Sequence, residues 1–245
     1  MLLCVETVGY DQAMANHQIG TLGEKNLHSA LKEWYARPGD EFEVEVNGFH
    51  VDIVRGQLLI EIQTTNFSSQ RRKLRILAET HPVRLVFPVA QEKWITRLGP
   101  DGTTELGRRR SPKKGKIFDV FKELVSIPDL IAKEGFSLEV LLVREEEFRC
   151  DDGKGSWRRK GWSISDRRLI KVVSSHLFQA PKDFLDLLPA ELKDPFSTLE
   201  LASAIEQPHW LAQKMAYCLR HMGVIQVKGK KGNALLYSPD RLGAI

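Results

Sequence analysis

Residues 41–65, EFEVEVNGFHVDIVRGQLLIEIQTT, read as three short strands joined by two tight turns. Phe42, Val44, Val46, Phe49, Val51, Ile53, Leu58, Ile60 and Ile62 alternate with other residues, and Asn47-Gly48 and Arg55-Gly56 have the composition of two-residue hairpin turns. With both turns that tight, Val46 faces Phe49, Val54 faces Gln57, and the nine apolar residues share one side of a meander. The other side carries Glu43, Glu45, His50, Asp52, Leu59, Glu61 and Gln63. This register sets Asp52 opposite Leu59 and diagonal to Glu61, with Cβ atoms roughly 6 to 8 Å apart, and sets His50 opposite Glu61. Carboxylates at that spacing can share one divalent cation. A solvated face of an antiparallel sheet would carry the same acids without one.

Upstream, residues 21–36, TLGEKNLHSALKEWYA, have helical spacing in Leu27, Ala30, Leu31, Trp34 and Tyr35, and Arg37-Pro38-Gly39 ends the run. Thr21 and Glu24 form a capping-box pair, yet Glu24 also shares the face of Leu27, His28 and Leu31 that must pack on the sheet. Downstream, residues 68–80 read as a helix with a Ser cap, Leu74 and Leu77 inward and Arg71, Arg72 and Arg75 outward. Gln70 and Lys73 lie on the inward stripe. Residues 83–89, VRLVFPV, complete the series as a buried strand.

Asp52 followed by Glu61-Ile62-Gln63 on a hairpin, in the order helix, three strands, helix, strand, resembles the PD-(D/E)XK nuclease superfamily over about residues 20–90. The resemblance implies an α/β fold, a restriction-endonuclease-like αβββαβ core with a mixed sheet. It implies that Asp52 and Glu61 bind Mg²⁺ or Mn²⁺, that the Ile62 carbonyl is a further ligand, and that Glu24 completes the site directly or through water. Gln63 stands where the family usually has a lysine that positions or activates the attacking water, and Gln carries no positive charge. Some members supply the basic residue from the following helix, which makes Lys73 a candidate; His50 is a candidate supporting residue. The implied activity is metal-dependent hydrolysis of DNA, with a homodimer as one way of cutting two strands.

The remaining chain adds basic and aromatic features. A hairpin is expected around Gly99-Pro100-Asp101-Gly102, then a run with Arg108, Arg109, Arg110, Lys113, Lys114 and Lys116, read as a disordered loop or a phosphate-binding arm. Short helices over 117–125 and 129–134 precede an apolar strand at 138–143. Residues 154–162, KGSWRRKGW, interleave tryptophan with basic residues, as a base-stacking loop would and as an anchored hairpin loop also would. A linking helix at 181–188 leads to two helices at 196–206 and 209–222 and a strand pair around GKKGN. That order resembles a winged helix-turn-helix, which implies that Gln213, Lys214, Tyr217 and Arg220 face a groove of DNA and that Lys230 and Lys231 form a wing on phosphate. The domains expected are thus a nuclease-like unit over 1–178, with a basic insertion around 108–116, and a winged helix over 181–245.

Composition agrees. Lys and Arg number 36 against 32 Asp and Glu, and the surplus lies after residue 150, which suits a polyanionic partner. Three scattered cysteines, with no CxxC pair, no apolar run of membrane length and no leader pattern point to a cytoplasmic protein. Two other functions remain open at this stage: a nuclease fold retained for DNA binding or regulation, and a protein-docking module.

Overall fold

The structure is a computed structural model that describes residues 27–240. Asn47 and Gly48 both take positive φ, 51° and 77°, the geometry that a two-residue turn needs to follow the twist of its strands. This turn closes β1 (Glu41–Val46) onto β2 (Phe49–Arg55) with Val46 opposite Phe49, as expected. The next turn is one residue later than expected. Arg55 pairs with Leu58, so Gly56-Gln57 makes the turn into β3 (Leu58–Ile62). Three bonds hold Arg55 in the strand: its guanidinium donates twice to Asp40, each at 2.8 Å, and once to the Tyr35 carbonyl at 2.9 Å. The shift changes the register: Val54 faces Leu59 and Ile53 faces Ile60, so Leu59 does not lie opposite Asp52.

The nine alternating apolar residues do not share one side. Val51 packs with Leu59 in the core beneath the second helix, whereas Ile53, Ile60 and Ile62 pack beneath the first. Val51 and Ile53, two residues apart, lie on opposite sides, so regular alternation breaks at Asp52. The cause is cover on both faces. One face holds α1 (Leu27–Tyr35) through Leu27, Leu31 and Tyr35; the other holds α2 (Phe67–Thr80) through Phe67, Leu74, Leu77 and Ala78. Trp34, assigned to the inward stripe by its spacing, is exposed. The Thr21–Glu24 capping pair lies outside the described residues. The cap of α2 also differs: the N-cap is Asn66, and the Phe67 amide donates to the Glu123 carboxylate at 3.3 Å.

From α2 the chain enters β4 (Val83–Leu98), parallel to β3, so α2 is the crossover of a β-α-β unit. β4 continues well past Val89. Its first part lies beside β3; its last part pairs instead with the antiparallel β5 (Glu105–Arg110), forming the expected hairpin. The arginine run at 108–110 is thus an edge strand and neither a disordered loop nor a free arm. Two short helices, α3 (Phe121–Leu124) and α4 (Pro128–Ile131), lead to β6 (Phe136–Cys150), parallel to β4 along its whole length, and β7 (Ser163–Phe178) returns antiparallel. The result is a mixed seven-stranded sheet in the order β1-β2-β3-β4-β6-β7, with β5 beside β4.

After a short 3-10 turn at Pro181–Leu187 comes a smaller unit: β8 (Phe196–Ser197), α5 (Thr198–Ala204), α6 (His209–His221), β9 (Ile225–Lys231) and β10 (Ala234–Pro239). Ser197 and Glu200 form the expected capping box. The three strands order as β8-β10-β9, with Gly232 at positive φ in the β9–β10 turn. Phe196, Leu201, Leu211, Met215 and Leu219 join the same apolar core as Phe121, Leu130 and Leu138. The two units are therefore packed against each other.

A candidate metal and phosphate site

Because alternation breaks at Asp52, its carboxylate sits where a ladder bond would be and accepts the Ile62 amide at 2.8 Å. On the α1 side, His28 and Lys32, one helical turn apart, both reach it: His28 Nε2 lies 3.1 Å and Lys32 Nζ 3.3 Å from Oδ1. Lys32 also pairs with Glu43 of β1. Burial by itself would raise the Asp52 carboxyl, but the bonds from His28 and the Ile62 amide outweigh it and hold the group below the usual carboxylate value. The same contact with Asp52 raises the His28 imidazole.

Glu61, across the hairpin, lives differently. Its side chain is 6% exposed and turns toward α2, where Lys73 Nζ donates to Oε2 at 2.7 Å and to the His50 carbonyl at 2.5 Å. Oε1 is buried and has no hydrogen-bond partner among the described residues. Burial, only partly countered by Lys73, pushes the Glu61 carboxyl up to about 7. An unsatisfied carboxylate oxygen is costly to bury, so the site favours a proton or a cation there.

The structure thus brings together Asp52, Glu61, Ile62 and Lys73, with Gln63 immediately after β3, its amide on the Val86 carbonyl at 2.9 Å. Glu24 lies outside the described residues, and among those residues no group of three or more His, Cys, Asp and Glu side chains is placed to hold a metal. His50 contributes its carbonyl rather than its exposed ring. Lys32 was not anticipated, although its spacing of four from His28 on the buried face of α1 was the available signal.

The more distant basic residues are distributed. Arg71 and Arg72 are exposed on α2, Arg71 lying 3.9 Å from Asp129. Arg108 is tied to Glu146 at 2.7 Å with its guanidinium 4.2 Å from the Trp94 ring, Arg110 pairs with Glu92 at 2.7 Å, and Arg109 is exposed between them. On α6, Gln213, Tyr217 and Arg220 are exposed, whereas Lys214 is half-buried and turned toward the Lys122 carbonyl at 3.4 Å. Lys230 and Lys231 are exposed at the end of β9. A 350 Å³ cavity beside the start of α2 is bordered by Lys93, Lys113, Lys122 and Arg149 as well as Asp119 and Glu123.

Fold and site together define a mixed α/β protein with two carboxylates and a lysine clustered on a strand hairpin. The chain belongs to the family described as a domain of unknown function, DUF8091, whose model matches residues 25–179. It is 32% identical over 226 residues to an uncharacterized protein of Treponema pallidum (strain Nichols), a match covering 92% of this chain and 89% of that one. No solved structure matches it. Among the described residues no helix is long and apolar enough to cross a membrane.

Proposed function

We propose that this protein is a metal-dependent DNA endonuclease of PD-(D/E)XK type with a C-terminal winged helix. The observation that carries the reading is Lys73. Its ammonium, 2.7 Å from Glu61, brings to the carboxylate pair the positive charge that Gln63 lacks. The order of elements through β4 and the parallel β3–β4 crossover support the same reading.

The residues fit a divalent cation. Mg²⁺ is commonly held by one or two carboxylates, with water and substrate phosphate filling its remaining positions. Asp52, the unpartnered Oε1 of Glu61 and the Ile62 carbonyl would hold it. Bound there, the ion would lower the pKa of a water and offset charge on the scissile phosphate. Asp52 is kept ionised by His28, Lys32 and the Ile62 amide. Glu61 must give up its proton to serve as a ligand, which makes cation uptake proton-coupled near pH 7. Lys73 and the side-chain amide of Gln63 orient water and phosphate. Exposed Gln213, Tyr217 and Arg220, with the wing lysines Lys230 and Lys231, meet DNA away from the site.

One observation favours a second reading, a nuclease fold kept for DNA binding or regulation. Asp52 is already paired with Lys32 and bonded by His28, which compete with a metal. The test is cleavage of linear, supercoiled, branched and single-stranded DNA with Mg²⁺ or Mn²⁺. Glu61→Ala and Asp52→Ala should each lower cleavage at least about a hundredfold while DNA binding persists. Lys73→Ala should fall similarly, with Lys73→Arg partly active. Binding without cutting in the wild type would select the second reading.

A further inference from the structure

The loop 151–162, between β6 and β7, is built to present one indole. The Gly155 amide donates to the Gly161 carbonyl at 2.8 Å, and Asp152 accepts from the Lys154 amide at 3.0 Å and the Ser163 hydroxyl at 2.9 Å. A side chain at position 155 would meet the Trp162 carbonyl oxygen at 1.9 Å, so the closure requires glycine. Trp162 is held by Arg97, whose guanidinium lies 4.9 Å from its ring centroid. Trp157, by contrast, starts a single 3-10 turn and is 83% exposed.

Its neighbours are Lys154, Arg158, Arg159 and Lys160, with Arg158 5.5 Å from the indole centroid. A hydrophobic docking surface needs a contiguous apolar patch. One planar ring among cations offers instead a face for a base and charges for the phosphates on either side of it. Position adds to this. At the level of the carboxylate site, Ile62 pairs with Val86 and Val86 with Glu139, and β6 then runs from Glu139 to Cys150 at the foot of the loop. At about 3.3 Å per residue that is about 36 Å of strand, so the loop lies at the far end of β6 from the carboxylate site.

We propose that Trp157 stacks on an unpaired base of DNA lying along the sheet, with the carboxylate site toward the other end of β6. The inference rests on the DNA reading above and assigns the substrate class: DNA with single-stranded or extrahelical bases next to duplex. The test is binding of the full chain, in EDTA so that nothing is cut, to a labelled single strand, a duplex with unpaired bases and a fully paired duplex. Trp157→Ala should weaken the first two by about 5- to 100-fold, leave the paired duplex within about twofold and keep the wild-type melting temperature. Trp157→Phe should restore most of the loss, and single-strand binding should quench tryptophan fluorescence less in that variant than in wild type. Equal loss on all three probes, or no loss on any, overturns the inference while leaving the DNA reading in place. Failure of the wild type to bind any probe overturns both.

Discussion

β4 and β6 each pass through two different surroundings. In the first half of each strand, Val83, Leu85, Val86 and Phe87 lie beside Leu138, Val140, Leu141 and Val143, with helices on both faces of the sheet. In the second half, an arm that runs on past the apolar core, Lys93 and Thr96 lie beside Glu145, Glu146 and Glu147. Yet those three glutamates are 3%, 3% and 2% exposed, as buried as much of the apolar half. Lys93 bonds Glu145 at 2.8 Å and Glu147 at 2.9 Å, and Arg149 bonds Glu147 at 2.6 Å. On the other face, Thr96, Arg108 and Arg168 bond Glu146 at 2.5, 2.7 and 2.6 Å. One backbone ladder is therefore held in two ways, by non-directional burial near the site and by matched charge in the arm.

The comparison breaks most visibly by truncation. Leu85→Ala should cost about 3–5 kcal/mol, because helices on both faces prevent the cavity from collapsing. In the arm, Glu147→Ala should cost about 2–3 kcal/mol, since it strands the mostly buried Lys93 and Arg149. Glu146→Ala should cost only about 1 kcal/mol, since Arg108 and Arg168 are about half exposed and can rehydrate. Chemical denaturation of the three variants measures the order, and equal costs for the two glutamates would refute charge matching as the source of arm stability.

Acid and base sharpen it further, because the two halves respond in opposite directions. Burial alone would raise Glu146 and Glu147, but Thr96 and Arg108 for the first, and Lys93 for the second, hold them below the usual value. Their contribution is present above about pH 4.5 and is lost as pH falls through the lowered values. Glu61 is raised, so its contribution is full below about pH 4.5 and is lost as pH rises through about 7. Wild type should therefore lose on the order of 2–3 kcal/mol between pH 5 and 8 relative to Glu61→Gln, read from melting curves across that range. A parallel pH profile for the two proteins would remove the buried carboxylate from the site's energetics. The smallest expected effect on folding is at the end of β9: Lys230→Ala with Lys231→Ala should shift stability by less than about 0.5 kcal/mol and, on the DNA-binding proposal, lower the salt slope of binding by about 1.8.

These contrasts explain what was legible in the sequence. The hairpins, α2, the β-α-β crossover and the two C-terminal helices follow from alternation, helical stripes and capping residues, all of them local signals. The register of the second turn did not, because Arg55 is fixed by Asp40 and Tyr35, which its own turn composition does not reveal. Asp52, Glu61 and Lys73 are legible as candidates, and Lys73 does meet Glu61, but Asp52 turns to the α1 side, since a sheet covered on both faces has no single polar side. The arm was illegible: Glu145-Glu146-Glu147 looks like solvated surface until β4, β5 and β7 bring cations to both faces. Lys32 was overlooked because the partners that define it, Asp52 and Glu43, come from other elements.

The continuity of β4 and β6 has a consequence for how the molecule comes apart. A protease acting on the loop at 99–104 or at 151–162 would cut a connection between strands that remain zipped along their length. The expected product is a nicked protein that migrates as fragments in denaturant yet stays one particle in native buffer. No cut confined to those loops frees the arm as a separate piece, and a deletion that removes it must cut through strands running up from the carboxylate site. The arm therefore behaves as an extension of the site's own scaffold and not as a detachable module.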